Sequence, residues 1–129
     1  MSDPDDAAVL TLEDVPVDRF PESGIPHRKL TEALGATEMR VTAVTLEPGQ
    51  ATDAHAHERQ EEIYVALDGG RVEIDGEERE VAPGGVVRVG PDPARRVVNE
   101  SEEERTWLMF GAPPVGTVED FGEYAMPEE

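Results

Sequence analysis

Short apolar runs, separated by glycine and proline, make up the middle of this chain. Some of them alternate apolar and polar residues, which is the period of a half-buried β-strand. Turn sequences such as Pro48-Gly49 and Asp75-Gly76 stand between them, and the second is typical of a tight hairpin. The pattern predicts strands at about 38–47, 61–68, 71–75, 78–82, 86–89, 95–99 and 105–111. Many short strands with regular turns indicate an all-β fold, an antiparallel barrel of two packed sheets.

The run from Ile63 to Leu67 is apolar at every position, which sets it apart from the alternating strands. A strand of this kind is usually covered on both faces. One face is expected to line the barrel. The other face needs an apolar cover, either an N-terminal strand from Ala8 to Leu12 or a second copy of the chain. A homodimer is therefore predicted.

Helical patterns are short. The segment from Leu30 to Leu34, before Gly35, predicts one or two turns, and Thr117 to Phe121 predicts another. Both are too short to be stable alone, so they depend on packing against the barrel.

The length of 129 residues suits one domain. The turn and strand pattern divides it into a barrel core at about 38–111, an N-terminal arm at 1–37 and a C-terminal tail at 112–129. The ends, residues 1–7 and 126–129, are expected to be mobile.

The charge of the chain is strongly negative. Thirty acidic residues against eleven basic ones give a formal net charge of −19, and Lys29 is the only lysine. This balance disfavours nucleic acid and anionic membranes as partners, because binding to phosphate needs clustered cations. It resembles the surfaces of proteins from salt-accumulating halophiles, so halophilic behaviour is predicted.

Three further observations bear on where the protein works. Cysteine is absent, which excludes disulfides and thiolate chemistry. No apolar run is long enough to cross a bilayer. The acidic start, residues 1–6, lacks the basic flank and apolar stretch of a signal peptide. A cytoplasmic protein is expected.

The chemistry of the chain is concentrated at His55, His57 and Glu62. Histidines at positions i and i+2 of an extended segment point to the same side. Glu62 lies an odd number of residues from His57, so residues 58–60 must form a loop or bulge that brings its carboxylate to the same side. Two neutral imidazoles and one carboxylate form the ligand set of many zinc and non-haem iron sites. The alternative is a strand end whose histidines are only solvated.

The central fifty residues resemble the cupin superfamily, small β-barrels of the jelly-roll type. The first cupin motif, with all its spacings satisfied, is present as Gly49, His55-Ala56-His57, Glu62 and Gly69. The second motif is only partly present. Gly84 and Asn99 stand in place, but the slot of the family's histidine holds Arg95.

The resemblance implies one divalent metal, Fe, Mn, Zn, Ni or Cu, held by His55, His57 and Glu62, with the fourth cupin ligand missing. Arginine has no lone pair to donate, so Arg95 does not replace that ligand. Two outcomes stay open. In one, metal binds to three protein ligands with water completing its shell. In the other, metal is absent and the Arg95 guanidinium takes its place beside Glu62.

A metal and Arg95 together would make the barrel positive, which suits a small organic anion. Arg95 is then a predicted substrate-binding residue. Tyr64, two residues beyond Glu62 on the same face, is a second one, with a purely structural core role as the alternative.

Other residues receive structural interpretations. Gln60 is interpreted as a surface or rim residue, and His27 as a loop or strand-surface histidine. Trp107, Met109 and Phe110 are expected in the core or at an interface.

Three functions remain open from the sequence: a metal-dependent enzyme acting on a small organic acid, a ligand-binding or sensor barrel without catalysis, and a metal-free dimer with a vestigial cavity. A small-molecule ligand is the expected partner in the first two. The fold alone does not decide between them.

Overall fold

The computed structural model describes residues 7–57 and 59–114. The described residues form one short α-helix, α1 (Leu30–Leu34), and a single 3-10 turn at Leu12–Asp14. Their strands are β1 (Asp18–Arg19), β2 (Pro26–Lys29), β3 (Arg40–Leu46), β4 (Glu61–Ala66), β5 (Gly70–Ile74), β6 (Glu77–Val81), β7 (Gly85–Val89), β8 (Arg95–Val98) and β9 (Arg105–Ala112). Each predicted strand overlaps an observed one. The helical turn predicted at 117–121 lies outside the described residues.

The strands form two antiparallel sheets, which confirms the predicted fold class. The larger sheet has the order β1-β2-β3-β9-β4-β7, and the smaller one has the order β6-β5-β8. β1 and β2 were not predicted, because their residues do not alternate in polarity. They form by pairing with β3, where His27 lies opposite Val44. Part of the N-terminal arm therefore extends the larger sheet.

The turn between β5 and β6 shows why the hairpin signal was reliable. Asp75 and Gly76 both have positive φ, 50° and 83°. Two consecutive positive φ angles are the requirement of a type I′ turn, and Asp-Gly satisfies it with little strain. The register Ile74 to Glu77 follows directly.

The interior of the barrel is filled by side chains from both sheets. The larger sheet supplies Val44 and Leu46 from β3, Tyr64 and Ala66 from β4, and Trp107 from β9. Since side chains alternate along a strand, these inward residues share one parity on each strand. The completed cluster consists of Ile25, Val44, Leu46, Tyr64, Ala66, Val72, Val97 and Trp107.

The outer face of the larger sheet is covered over only part of its width. Over β3 and β9, residues of the arm and α1 pack in a second cluster; its members are Val15, Leu30, Val41 and Ala43, with Leu10, Leu12, Leu34, Leu108 and Phe110 against them. On β4 and β7, Ile63 is 40% exposed and Val86 is 63% exposed. The predicted cover from Ala8 to Leu12 is not a strand, and it lies over β3 rather than β4.

No helix among residues 7–57 and 59–114 combines the length and the apolarity needed to span a membrane.

Candidate metal centre and cavity

A cavity of about 500 Å³ opens at one end of the barrel interior. Apolar residues of the turn between β1 and β2, and of β3 and β9, form part of its wall, among them Phe20, Ile25, Val44 and Met109. The polar part of the wall consists of Glu22, Ser23, Arg40, Thr42, Thr52, Asp53, His55, His57, Gln60, Glu62 and Tyr64. The predicted histidines and glutamate thus face a space large enough for a small organic molecule.

The two histidines lie on an extended segment beside β8. His55 and Arg95 form an antiparallel bridge, with backbone N···O distances of 3.1 and 2.8 Å. The His57 amide donates to the carbonyl oxygen of Pro91 at 2.9 Å. Because the backbone is extended, the two rings project to one side, with their centroids 5.1 Å apart and nearly perpendicular planes. This arrangement agrees with the prediction from their spacing.

Glu62 reaches the same place from β4. The strand begins only at Glu61, and Gln60 lies before it outside the strand. This break in the extended chain supplies the predicted change of phase. The Glu62 Oε1 atom lies 3.4 Å from His57 Nε2 and 3.8 Å from His55 Nε2. One potential ligand atom from each of the three residues lies within 4.8 Å of the others.

The state of the His55 ring suits a metal ligand. Its Nδ1 lies 3.1 Å from the carbonyl oxygen of Asp53. A carbonyl oxygen only accepts, so Nδ1 carries the proton and donates it. In the neutral ring, Nε2 on the Glu62 side then holds the lone pair. A histidine ligand commonly has such a partner behind it, which fixes both tautomer and orientation. The donor set therefore fits a divalent metal.

Arg95 is fully buried beside Glu62, and it is not among the described residues that line the cavity. Its Nη1 donates to Glu62 Oε1 at 2.7 Å. Its Nε donates to the Pro93 carbonyl at 3.0 Å, and Nη2 donates to the carbonyls of Gly90 and Pro91. The ion pair of the second sequence alternative is thus present. The guanidinium has no exposed surface, so its predicted contact with a substrate stays a prediction.

Tyr64 belongs both to the core and to the site. Its ring lies at right angles to Trp107, with the centroids 6.4 Å apart, while its hydroxyl donates to Glu62 Oε1 at 2.6 Å. Burial raises the pKa of Tyr64, and the neighbouring Glu62 carboxylate raises it further. The phenol therefore stays protonated and remains a hydrogen-bond donor to Glu62.

Glu62 is held in its ionised form. Burial by itself would raise the pKa of this carboxyl, but polar contacts with His55, His57 and Tyr64 outweigh burial and hold the pKa well below its usual range. The Arg95 guanidinium 2.7 Å away acts in the same direction. An ionised carboxylate is the form that binds a cation.

Two residues of the cavity, Gln60 and Arg40, were misinterpreted or missed in the sequence. Gln60 is buried, not on the surface, and its amide packs over Gly111, where a Cβ atom would lie 2.6 Å from Gln60 Cδ. A glycine inside a strand is a signal of such close approach. Arg40 lines the cavity from the start of β3, on the inward parity of Val44 and Leu46. That parity was readable from the sequence.

His27 also differs from its interpretation. It is buried, and its ring stacks on Phe20 with centroids 3.9 Å apart. Burial lowers its pKa, which favours the neutral ring. The residue is structural and does not join the cluster of His55, His57 and Glu62.

Comparison with known proteins agrees with this geometry. A family model described as the cupin domain matches residues 42–111. No curated protein matches the chain.

Solved structures show the same fold. A cupin-superfamily sugar phosphate isomerase from Silicibacter pomeroyi has a TM-score of 0.71 at 24% identity, over 81% of this chain and 75% of that one. A predicted oxalate decarboxylase from Thermotoga maritima has a TM-score of 0.72 at 19% identity, over 82% and 99%. A cupin protein from Bacteroides fragilis has a TM-score of 0.62 at 25% identity, over 78% and 85%.

Proposed function

Because this chain belongs to the cupin family, we propose that it binds one divalent transition metal through His55, His57 and Glu62 and takes a small organic anion into its cavity. The carrying observation is the convergence of three ligand atoms within 4.8 Å at the cavity wall. The metal is Fe, Mn, Zn, Ni or Cu, all of which accept imidazole and carboxylate ligands. When bound, such an ion supplies Lewis-acid polarisation of a ligand oxygen or activates a water molecule.

Two of the similar structures support an anionic ligand by their names, one a sugar phosphate isomerase and the other a predicted oxalate decarboxylase. Both names refer to compact anions. The cavity of about 500 Å³ accommodates molecules of that size.

The proposed role of Arg95 is to position Glu62. A carboxylate has two oxygens, so Glu62 can accept from Arg95 and Tyr64 through Oε1 and still offer a lone pair to a cation. The positive charge of Arg95 opposes a metal ion at short range, because the surroundings are buried. Metal binding is therefore expected to be weaker than in a cupin with three histidines and a glutamate.

Calorimetric metal titration of protein prepared without a metal-affinity tag tests this proposal. Wild type is expected to bind one equivalent of Zn²⁺ or Mn²⁺, and His57→Ala to bind none. Residue 95 faces the same side as its bridge partner His55, so Arg95→His should provide the fourth ligand and tighten binding roughly tenfold, about 1.4 kcal/mol. His27→Gln is the control for loss of a histidine outside the cluster. If Arg95→His does not bind more tightly than wild type, residue 95 is not in the ligand slot.

The buried ion pair favours a second candidate, a binding module without metal or catalysis. Here Arg95 and Glu62 form a closed pair at 2.7 Å, and the cavity binds its ligand through other groups. Wild type and His57→Ala would then be equally inert in the metal titration, and elemental analysis would find no transition metal.

We also propose that two copies of the chain associate through the uncovered outer face of β4 and β7. Ile63 and Val86 lie there exposed, and Ile63 pairs in register with Phe110, which belongs to the covered cluster. A second copy would complete that cover. Val86→Lys should shift the sedimentation coefficient of the wild-type dimer to that of a monomer, whereas Val9→Lys, on the exposed arm, should not. A monomeric wild type at micromolar concentration in high salt would contradict the association.

A further inference from the structure

Arg40 is a buried cation in the wall of the cavity. Arg40 is only 6% exposed. It lies at the start of β3, at one of the alternate positions whose side chains face the interior. Among the described residues that line the cavity it is the only arginine or lysine. The acidic residues Glu22 and Asp53 also line it, but both are exposed, so water screens their charge.

The register of three strands places Arg40 two strands away from Glu62 of the candidate metal site. Gly111 of β9 pairs with Arg40 of β3 on one side and with Glu62 of β4 on the other. Neighbouring strands are about 4.8 Å apart, so the backbones at Arg40 and Glu62 are separated by about 10 Å. The missing side chain at Gly111 is replaced by the Gln60 amide. The three strands thus form a row with the Arg40 guanidinium at one end, the Gln60 amide in the middle and the Glu62 carboxylate at the other end.

We propose that Arg40 binds the anionic group of the ligand, a carboxylate or a phosphate, and so fixes which end of the ligand faces His55, His57 and Glu62. This inference rests on the proposed function, in which His55, His57 and Glu62 hold a metal at the other end of the bound ligand. A guanidinium presents a planar fork that pairs with two oxygens at once. Thr42, two residues along β3, also lines the cavity and adds a hydroxyl on the same face.

The charge of the whole protein makes such a residue necessary. A chain of net charge −19 repels anions at long range. An anionic ligand therefore needs a local cation where the dielectric is low and salt screens little. Arg95 is fully buried beside Glu62 and is not among the described residues that line the cavity, whereas Arg40 is, so we assign this task to Arg40. One guanidinium on the cavity wall suits a ligand with one anionic group directed at β3.

Calorimetry with three small probes tests the inference. Malonate presents carboxylates, glycerol 1-phosphate presents a phosphate, and malonamide is the neutral counterpart of malonate. Each is titrated into Co²⁺-loaded and into metal-free protein. The variants are Arg40→Met, which removes the charge, and Arg40→Lys, which keeps the charge without the fork. Arg79→Met is the matched control, because Arg79 is an exposed arginine of β6, in the smaller sheet, and its loss changes the net charge equally.

Wild type is expected to bind malonate or glycerol 1-phosphate and to ignore malonamide, and the anion that binds identifies the source of the charge. Arg40→Met should lose at least about tenfold in anion affinity, the size expected for a charge-assisted hydrogen bond. The affinity of Arg40→Lys should fall between those of wild type and Arg40→Met, and Arg79→Met should match wild type. The melting temperature tests whether the variants remain folded, and the visible Co²⁺ spectrum tests whether their metal site is intact.

Three results would overturn the inference: Arg40→Met binding anions as tightly as wild type, malonamide binding as tightly as malonate, or no anion binding by wild type in either form. Failure of the metal proposal looks different. In that case wild type takes up no Co²⁺, while metal-free protein still binds the anion in a manner that depends on Arg40.

Discussion

The two ends of the barrel interior are built by the same three strands and differ in every property that matters for function. Three rows of paired residues cross β3, β9 and β4. The rows are Arg40–Gly111–Glu62, Thr42–Met109–Tyr64 and Val44–Trp107–Ala66. The first row carries charges around a glycine, the second is mixed, and the third is apolar and fully buried. The side chains that face the interior therefore change from charged to apolar across the three rows, although all of them lie on the same face of the sheet.

The difference teaches how a small barrel can carry buried charge. Burying a guanidinium or a carboxylate is costly unless it is paired and hydrogen-bonded. The cavity end meets this condition at Glu62 through Arg95 and Tyr64. The net stability of the fold then has to come from the third row and its neighbours, where Trp107 packs among Leu46, Val72 and Val97. Substitutions at the two ends should consequently separate stability from binding.

The largest effect is expected from Trp107→Ala at the packed end. Removal of this fully buried ring should cost about 3–5 kcal/mol in the free energy of unfolding, through lost apolar burial and the cavity left behind. Urea denaturation measures the loss, and Trp107→Phe should cost less. Metal affinity of the folded fraction should stay close to that of wild type, because Trp107 pairs with Ala66, four residues along β4 from Glu62. A Trp107→Ala variant as stable as wild type would contradict the conclusion that the packed end supplies most of the stability.

The ends can also be compared by one identical change, glycine to alanine. At Gly70, a Cβ atom would lie 2.7 Å from the Trp107 ring, which has no room to move. At Gly111, it would meet the far end of the flexible Gln60 side chain at 2.6 Å. Overpacking typically costs about 1–3 kcal/mol, and Gly70→Ala is expected at the upper end of that range and Gly111→Ala at the lower.

The same pair should differ in binding. Gly111→Ala displaces the Gln60 amide from the row between Arg40 and Glu62, so affinity for a ligand of the cavity should fall. Gly70→Ala should leave that affinity unchanged in folded protein. Chemical denaturation and calorimetry on both variants measure the two effects, and a larger stability loss at Gly111 would reverse the assignment of the rigid end.

How far the sequence predicted this molecule depends on the range of the interactions involved. The strand positions and the hairpin turn follow from neighbouring residues, through alternation and through the φ angles that Asp75-Gly76 can adopt. The three candidate metal ligands, His55, His57 and Glu62, follow from a short motif within eight residues. These are local properties, and the structure places all of them as expected.

Features that depend on distant pairing were not predicted. Gln60 is buried only because Gly111, on another strand, leaves space for it. β2 exists only because β3 offers an edge, since its own residues show no period. Whether Arg95 pairs with Glu62 depends on the carbonyl oxygens of Gly90, Pro91 and Pro93, which the loop brings around it. Neither residue type nor spacing contains that information.

The smallest effect concerns salt, and it contrasts the interior with the surface. Between about 0.1 M and 1 M salt the Debye length falls from about 10 Å to about 3 Å, so repulsion among exposed carboxylates of the −19 chain should weaken. Exposed attractive pairs such as Arg71–Glu80 lose strength too, but each contributes little. The free energy of unfolding should rise by an amount on the order of 1 kcal/mol across that range in KCl. The buried Arg95–Glu62 pair is screened much less, so the stability lost in Arg95→Leu should be the same at both salt concentrations. Urea denaturation of wild type and Arg95→Leu at each concentration measures both quantities. A wild type whose stability stays flat or falls with KCl would contradict the halophilic prediction, and a salt-dependent loss in Arg95→Leu would mean that the pair is open to solvent.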